Sequence, residues 1–147
     1  MMTLMAKSQF VYVTYIRTTP EKLWQALTEP EFTRQYWFGM RQECDWKPGA
    51  SWKNLDANGR VFDTGEIIEI DPSKRLLLTW RHELDAELTA EGFSHLTYEL
   101  DQIGEMVKLT VLHEIDKSDS KFIKAVSGGW PIILASLKSL LETGKPL

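Results

Sequence analysis

The sequence predicts an α+β fold in which a curved, seven-stranded antiparallel sheet wraps around a long C-terminal helix, on three observations. From Met40 onward apolar residues recur with period two between hairpin signals at Pro48-Gly49, Asn58-Gly59, Asp71-Pro72-Ser73 and Gly104. Before Met40, two proline-bearing capping signals mark a pair of short helices between strands 1 and 2. Beyond Ser118 the apolar residues recur instead in steps of three and four.

The first strand is Phe10 to Ile16, aromatic and β-branched without interruption, which reads as covered on both faces. Thr18-Thr19-Pro20-Glu21 supplies a capping hydroxyl, a first-turn proline and an acid, so Leu23, Trp24 and Leu27 share one face of a helix from Pro20 to Leu27. Thr28-Glu29-Pro30-Glu31 repeats the signal and leads through Phe32 to Tyr36. The later strands are expected at Met40 to Trp46, Ala50 to Leu55, Val61 to Ile70, Arg75 to Leu84, Phe93 to Gln102 and Met106 to Ile115. Asp85 to Gly92 is acidic, small and unpatterned, and reads as the longest exposed loop, a lid beside a pocket mouth. Ser118-Asp119 caps the last helix, whose stripe is Phe122, Val126, Trp130, Ile133, Leu134, Leu137, Leu140 and Leu141. Gly144 and Pro146 end it, and Gly128-Gly129 with Pro131 mark a place to kink or restart.

Strand parity then assigns faces. Val107, Leu109, Val111, His113 and Ile115 point inward from the last strand, Leu96, Tyr98 and Leu100 from the sixth, and Leu76, Leu78, Trp80 and His82 from the fifth. The second strand contributes Met40, Gln42, Cys44 and Trp46, while Gly65 leaves the parity of the fourth open, because a bulge there would turn Ile67, Ile68 and Ile70 over. The C-terminal helix alone is long enough to cover the inner face. A strongly curved sheet cannot touch a straight helix along its whole length unless bulky side chains fill the gap, so the pattern allows either a cavity of roughly 300–1,000 Å³ or a filled core between them.

Composition narrows the function. A chain of 147 residues suits one domain spanning residues 1–147. With 17 basic against 21 acidic residues and no dense Lys/Arg cluster, nucleic acid is not an expected partner. The single cysteine, Cys44, makes no internal disulfide and suits the reducing cytoplasm. Met1 to Gln9 carries no apolar run of signal-peptide length, and no stretch reaches the ~20 apolar residues of a membrane span. Six tryptophans remain to be placed.

The residues also carry a resemblance. The run Thr19-Pro20-Glu21-Lys22-Leu23-Trp24-Gln25-Ala26-Leu27-Thr28 is followed by Tyr36-Trp37, Pro48-Gly49-Ala50-Ser51-Trp52 and Gly65-Glu66-Ile67-Ile68-Glu69-Ile70 with Pro72 and Arg75-Leu76. Then come Leu109-Thr110-Val111-Leu112-His113-Glu114 and Gly129-Trp130 ahead of Leu137-Lys138-Ser139-Leu140-Leu141-Glu142. In this order they resemble the AHSA1-like (activator of Hsp90 ATPase homologue 1-like) branch of the START/Bet v 1-like SRPBCC helix-grip superfamily. The resemblance implies a helix-grip fold, a structural role for Trp24, and binding of a hydrophobic small molecule of lipid, polyketide or flavonoid-like type. It brings no shared catalytic motif and no cofactor.

The candidate ligand-binding residues are Trp46, Trp52, Trp80, His82, Tyr98, Val111, His113, Trp130 and Leu134. Indole offers a flat apolar wall with one N–H donor, although filling a core is its ordinary role. His82 and His113, at the ends of apolar inward faces, can anchor a ligand or act as a base, against the commoner structural role in which Tyr98 or backbone satisfies them. The three histidines are too dispersed for a metal. Cys44 reads as a small buried residue without a base beside it; Asp45, Asp63 and Glu66 could supply acid/base chemistry in a cyclase-like site, but their ordinary reading is the solvated face of their strands. The leading expectation is thus a binding protein for a small hydrophobic molecule. The alternatives are a cyclase- or hydrolase-type enzyme using the same cavity, with His82, His113 or Tyr98 as acid or base, and a chaperone-associated module. The last is disfavoured because such co-chaperones carry a further N-terminal domain and this fold begins at about Phe10. A homodimer is the other partner considered.

Overall fold

A computed structural model describes residues 7–147. The expectation that no leader precedes the fold falls largely on residues 1–6, outside the described residues. The elements run β1 (Ser8–Ile16), α1 (Pro20–Thr28), α2 (Pro30–Tyr36), β2 (Arg41–Cys44), β3 (Ser51–Leu55), β4 (Val61–Asp71), β5 (Arg75–His82), α3 (Ala86–Ala90), β6 (Ser94–Ile103), β7 (Met106–Ile115) and α4 (Lys121–Thr143). All seven strands pair antiparallel in the order β1-β7-β6-β5-β4-β3-β2. The expected α+β helix-grip arrangement is therefore present: β1 lies on one edge, α1 and α2 carry the chain to the other, and successive hairpins return it until β7 lies beside β1.

Local chemistry accounts for the helices. Thr19 Oγ1 accepts from Lys22 N at 3.2 Å to cap α1, and Pro20 and Pro30 each occupy a first-turn position where the missing N–H costs nothing. Tyr36 Oη donates to Ala26 O at 2.8 Å and locks the two helices together. The core lies between the sheet and α4 and includes Ile16, Leu23, Ile67, Leu78, Leu109, Leu134 and Leu137.

Five expectations are corrected. β1 is bare on one face: Val11, Val13 and Tyr15 are exposed, because β1 is an edge strand and α4 covers only the inner side. Asp85 to Gly92 is no irregular loop but contains α3, whose N-cap Asp85 accepts from Glu87 N at 2.9 Å. The cap of α4 is Ser120, whose Oγ accepts from Ile123 N at 3.0 Å, and not Ser118-Asp119. The helix then runs unbroken past Gly128, Gly129 and Pro131 to Gly144, whose φ of 83° ends it in the left-handed conformation.

The fifth correction concerns β4. From the Asp71–Arg75 turn the β4–β5 register starts regularly, then shifts by one residue between Ile67 and Glu69. Ile68 is the extra residue of this bulge and faces outward, while Ile67 and Asp63 face inward. Asp63 is accordingly buried, not part of a solvated face, whereas Glu66 and Asp45 are exposed. Gly65 is a place of close backbone approach: a Cβ there would stand 1.7 Å from Thr79 O.

Candidate functional site

Three neighbouring strands place a polar row at one end of the inner face. Asn54 on β3 stands opposite Asp63 on β4, and Asp63 opposite His82 on β5. Asn54 Nδ2 donates to Asp63 Oδ2 at 3.2 Å, and His82 Nδ1 lies 3.0 Å from Asp63 Oδ1. A carboxylate accepts only, so His82 carries its proton on Nδ1, and in the neutral ring Nε2 is left with a free lone pair. The hydrogen bond to Asp63 raises the His82 pKa above its ordinary value, outweighing the opposing effect of partial burial.

Beside this row lies a cavity of about 310 Å³ between the sheet and α4. Trp37, Phe38, Trp80, Phe122, Val126, Trp130 and Ile133 give it an aromatic and aliphatic wall, with Ala125 and Gly129 between them, and Asp63 and His82 form its polar edge. Leu88 of α3 closes one side. A larger surface cleft, about 630 Å³, runs between α3 and the β7–α4 turn. Its charged lining, including Glu87, Glu91, Asp116 and Lys121, is solvated and holds no buried wall, so the smaller aromatic cavity is the better ligand site.

The indole donors of the wall and core are not equivalent. Trp52 Nε1 donates to Gln42 Oε1 at 2.7 Å, and Gln42 Nε2 passes the chain on to Leu27 O at 3.1 Å. Trp130 Nε1 donates to His113 Nδ1 at 3.1 Å, which fixes the His113 proton on Nε2, where it is donated to Ser94 Oγ at 2.8 Å; Ser94 Oγ in turn donates to Trp80 O at 2.8 Å. His113 is thereby fully satisfied, and desolvation pulls its pKa down to about 3. Trp80 Nε1, by contrast, is buried without a hydrogen-bond partner, as is Asn54 Oδ1. A buried donor left without an acceptor is costly.

Of the residues the sequence singled out, Trp80, His82 and Trp130 line the cavity. Trp52, Tyr98, Val111, His113 and Leu134 are buried in the core beside it. Burial also raises the Tyr98 pKa. Trp46 lies beyond the end of β2 with a φ of 48°, partly buried and away from the cavity. Cys44 is half-buried, with its Sγ accepting from Trp46 N at 3.3 Å, and burial pushes its thiol pKa up. Sequence reasoning missed Trp37, Phe38, Leu88 and above all Asp63 as cavity residues. Phe122, Val126 and Ile133 were visible as members of the α4 stripe, but the stripe alone does not tell a cavity wall from a packed core. Among the described residues no group of three or more His, Cys, Asp or Glu is placed to hold a metal, and no helix is long and apolar enough to cross a membrane.

Comparisons with known proteins bear on the whole arrangement. A family model described as "Activator of Hsp90 ATPase homolog 1-like protein" matches residues 17–142. A comparison with curated proteins finds no match. Among solved structures, protein MLL2253 from Mesorhizobium loti is 24% identical with a TM-score of 0.77, over 91% of this chain and 96% of that one. The Aha1 dimer from Colwellia psychrerythraea is 19% identical with a TM-score of 0.73, over 94% and 98%. DynU16, described as a putative protein in the dynemicin biosynthetic locus, is 21% identical with a TM-score of 0.74, over 94% of this chain and 48% of its own. Likenesses at this identity establish the fold.

Proposed function

The chain belongs to the activator of Hsp90 ATPase homologue 1-like family, and from that premise we propose that it binds a compact, flat, largely apolar small molecule in the cavity between the sheet and α4. The observation that carries this reading is the aromatic and aliphatic cavity wall, closed at one edge by the His82–Asp63 pair. The surrounding rings supply the apolar contact, and His82 offers one polar contact at the edge. At about 310 Å³ the cavity sits at the lower end of ligand-site volumes, which favours a fused-ring molecule over a long acyl chain. The occurrence of a relative in the dynemicin biosynthetic locus is in keeping with a small-molecule ligand.

The test is a titration with 1-anilinonaphthalene-8-sulfonate, read by its fluorescence enhancement. The expected result is saturable one-to-one binding that Val126→Trp, which fills the cavity, abolishes while leaving the circular dichroism spectrum intact. Equal binding to the wild type and the filled variant would place the dye elsewhere and end this reading.

A further inference from the structure

The polar edge of the cavity has the geometry of a working base and not only of an anchor. His82 Nδ1 is engaged by Asp63, Asp63 is steadied on its other oxygen by Asn54, and among the described residues Nε2 of His82 has no hydrogen-bond partner. A base held by a third group, with its free nitrogen beside an apolar chamber, is the arrangement that proton abstraction requires. Trp80 stands two positions before His82 on the same face of β5, so its ring and the imidazole belong to one wall.

We infer that Asp63 and His82 form a general-base dyad, and that the cavity takes a flat apolar carbonyl compound with an acidic C–H and catalyses its enolisation. The inference rests on the binding reading above. His82 Nε2 takes the proton from the carbon next to the carbonyl, and the C–H electron pair becomes the new C=C bond as the C=O pair moves onto oxygen. The imidazolium so formed is stabilised by the Asp63 carboxylate. Its proton then returns to the oxygen or to another carbon of the same enolate, so the step is an isomerisation that consumes no co-reactant. Asp63 acts through His82 and is a positioning residue.

The groups that tune this titration can be named from every neighbouring element. Asp63 comes from β4, Glu83 follows β5, and Asp85 caps α3; all three favour the imidazolium. The α4 residues on the cavity, Phe122, Ala125, Val126, Gly129, Trp130 and Ile133, carry no titrating group. The hydrogen bond to Asp63 raises the pKa above the ordinary histidine value and makes the imidazole a stronger base.

The probe is 5-nitrobenzisoxazole, a flat apolar molecule whose C–H deprotonation breaks the ring N–O bond and releases a coloured phenolate. Its binding is followed separately by quenching of tryptophan fluorescence. The expected result is saturable quenching with turnover that rises with pH through the His82 pKa and then levels. His82→Gln should keep the quenching and lose about a hundredfold in rate. Asp63→Asn should lower the plateau and move the rise to lower pH, which a purely structural role would not do. Saturable quenching with wild-type turnover no faster than His82→Gln overturns the dyad and leaves the binding reading standing. Absence of saturable quenching removes the binding reading for flat apolar molecules, and the dyad with it.

Discussion

At the scale of single residues, two histidines on the same inner surface have opposite fates because their partners differ. His82 meets a carboxylate and is drawn toward its charged form; His113 meets an indole N–H and a hydroxyl and is held neutral. The pH consequences have opposite signs. His82, with its pKa raised, contributes stability in full below the ordinary histidine value of 6.5 and loses it as pH rises through the folded value. His113, with its pKa depressed, contributes in full above 6.5 and loses it as pH falls toward about 3, because the unfolded chain takes up a proton that the folded one refuses. Over that interval the His113 contribution falls by at most about 1.4 kcal/mol per pH unit. Urea unfolding at pH 7, 6, 5 and 4 should therefore show the wild type losing stability faster than His113→Gln; parallel slopes would contradict this account.

At the scale of elements, β4 decides where the site is. A regular ladder counted back from the Asp71–Arg75 turn would set Asp63 opposite Glu83 and facing out; the one extra residue at Ile68 sets it opposite His82 and facing in. Close to the bulge, Glu66 N donates to Thr79 Oγ1 at 2.9 Å, and the backbone at Gly65 crowds Thr79. Gly65→Ala should then cost more than about 1 kcal/mol, seen as a lower urea midpoint, since the atom it meets is backbone and cannot turn aside. An unchanged midpoint would mean that β4 shifts freely. The same strand shows what the sequence conceals. Period-two patterning and turn residues were enough to place seven strands, and β7 to the residue, because side-chain alternation and Pro/Gly punctuation are local properties. The facing of Asp63 is not local: it depends on the register shift of β4 against β5. Trp80 and His82 were legible because β5 is regular, whereas Trp37 and Leu88 come to the cavity from segments whose relation to it exists only in three dimensions.

At the scale of the whole molecule, α3 joins the two halves of the chamber. Thr89 Oγ1 donates to His82 O at 2.7 Å, tying α3 to the end of β5, and Glu91 at its other end accepts from Ser120 Oγ at 2.5 Å and from Lys121 N at 2.9 Å, tying it to the start of α4. A carboxylate there also satisfies helix N–H groups and complements the positive end of the α4 dipole. Glu91→Gln should raise hydrogen exchange together in α3 and in the amides of Lys121 and Phe122, by roughly two- to fivefold. Faster exchange confined to α3 would show that the two helices open independently.

The Glu91 contact makes the doorway and one wall of the chamber a single mechanical part. Leu88 cannot swing away from the cavity without straining the cap of the helix that carries Phe122, Val126 and Trp130. Under the proposed function, the dwell time of a bound molecule would follow how often the first turn of α4 frays, the clock of a helix end and not that of a freely moving flap.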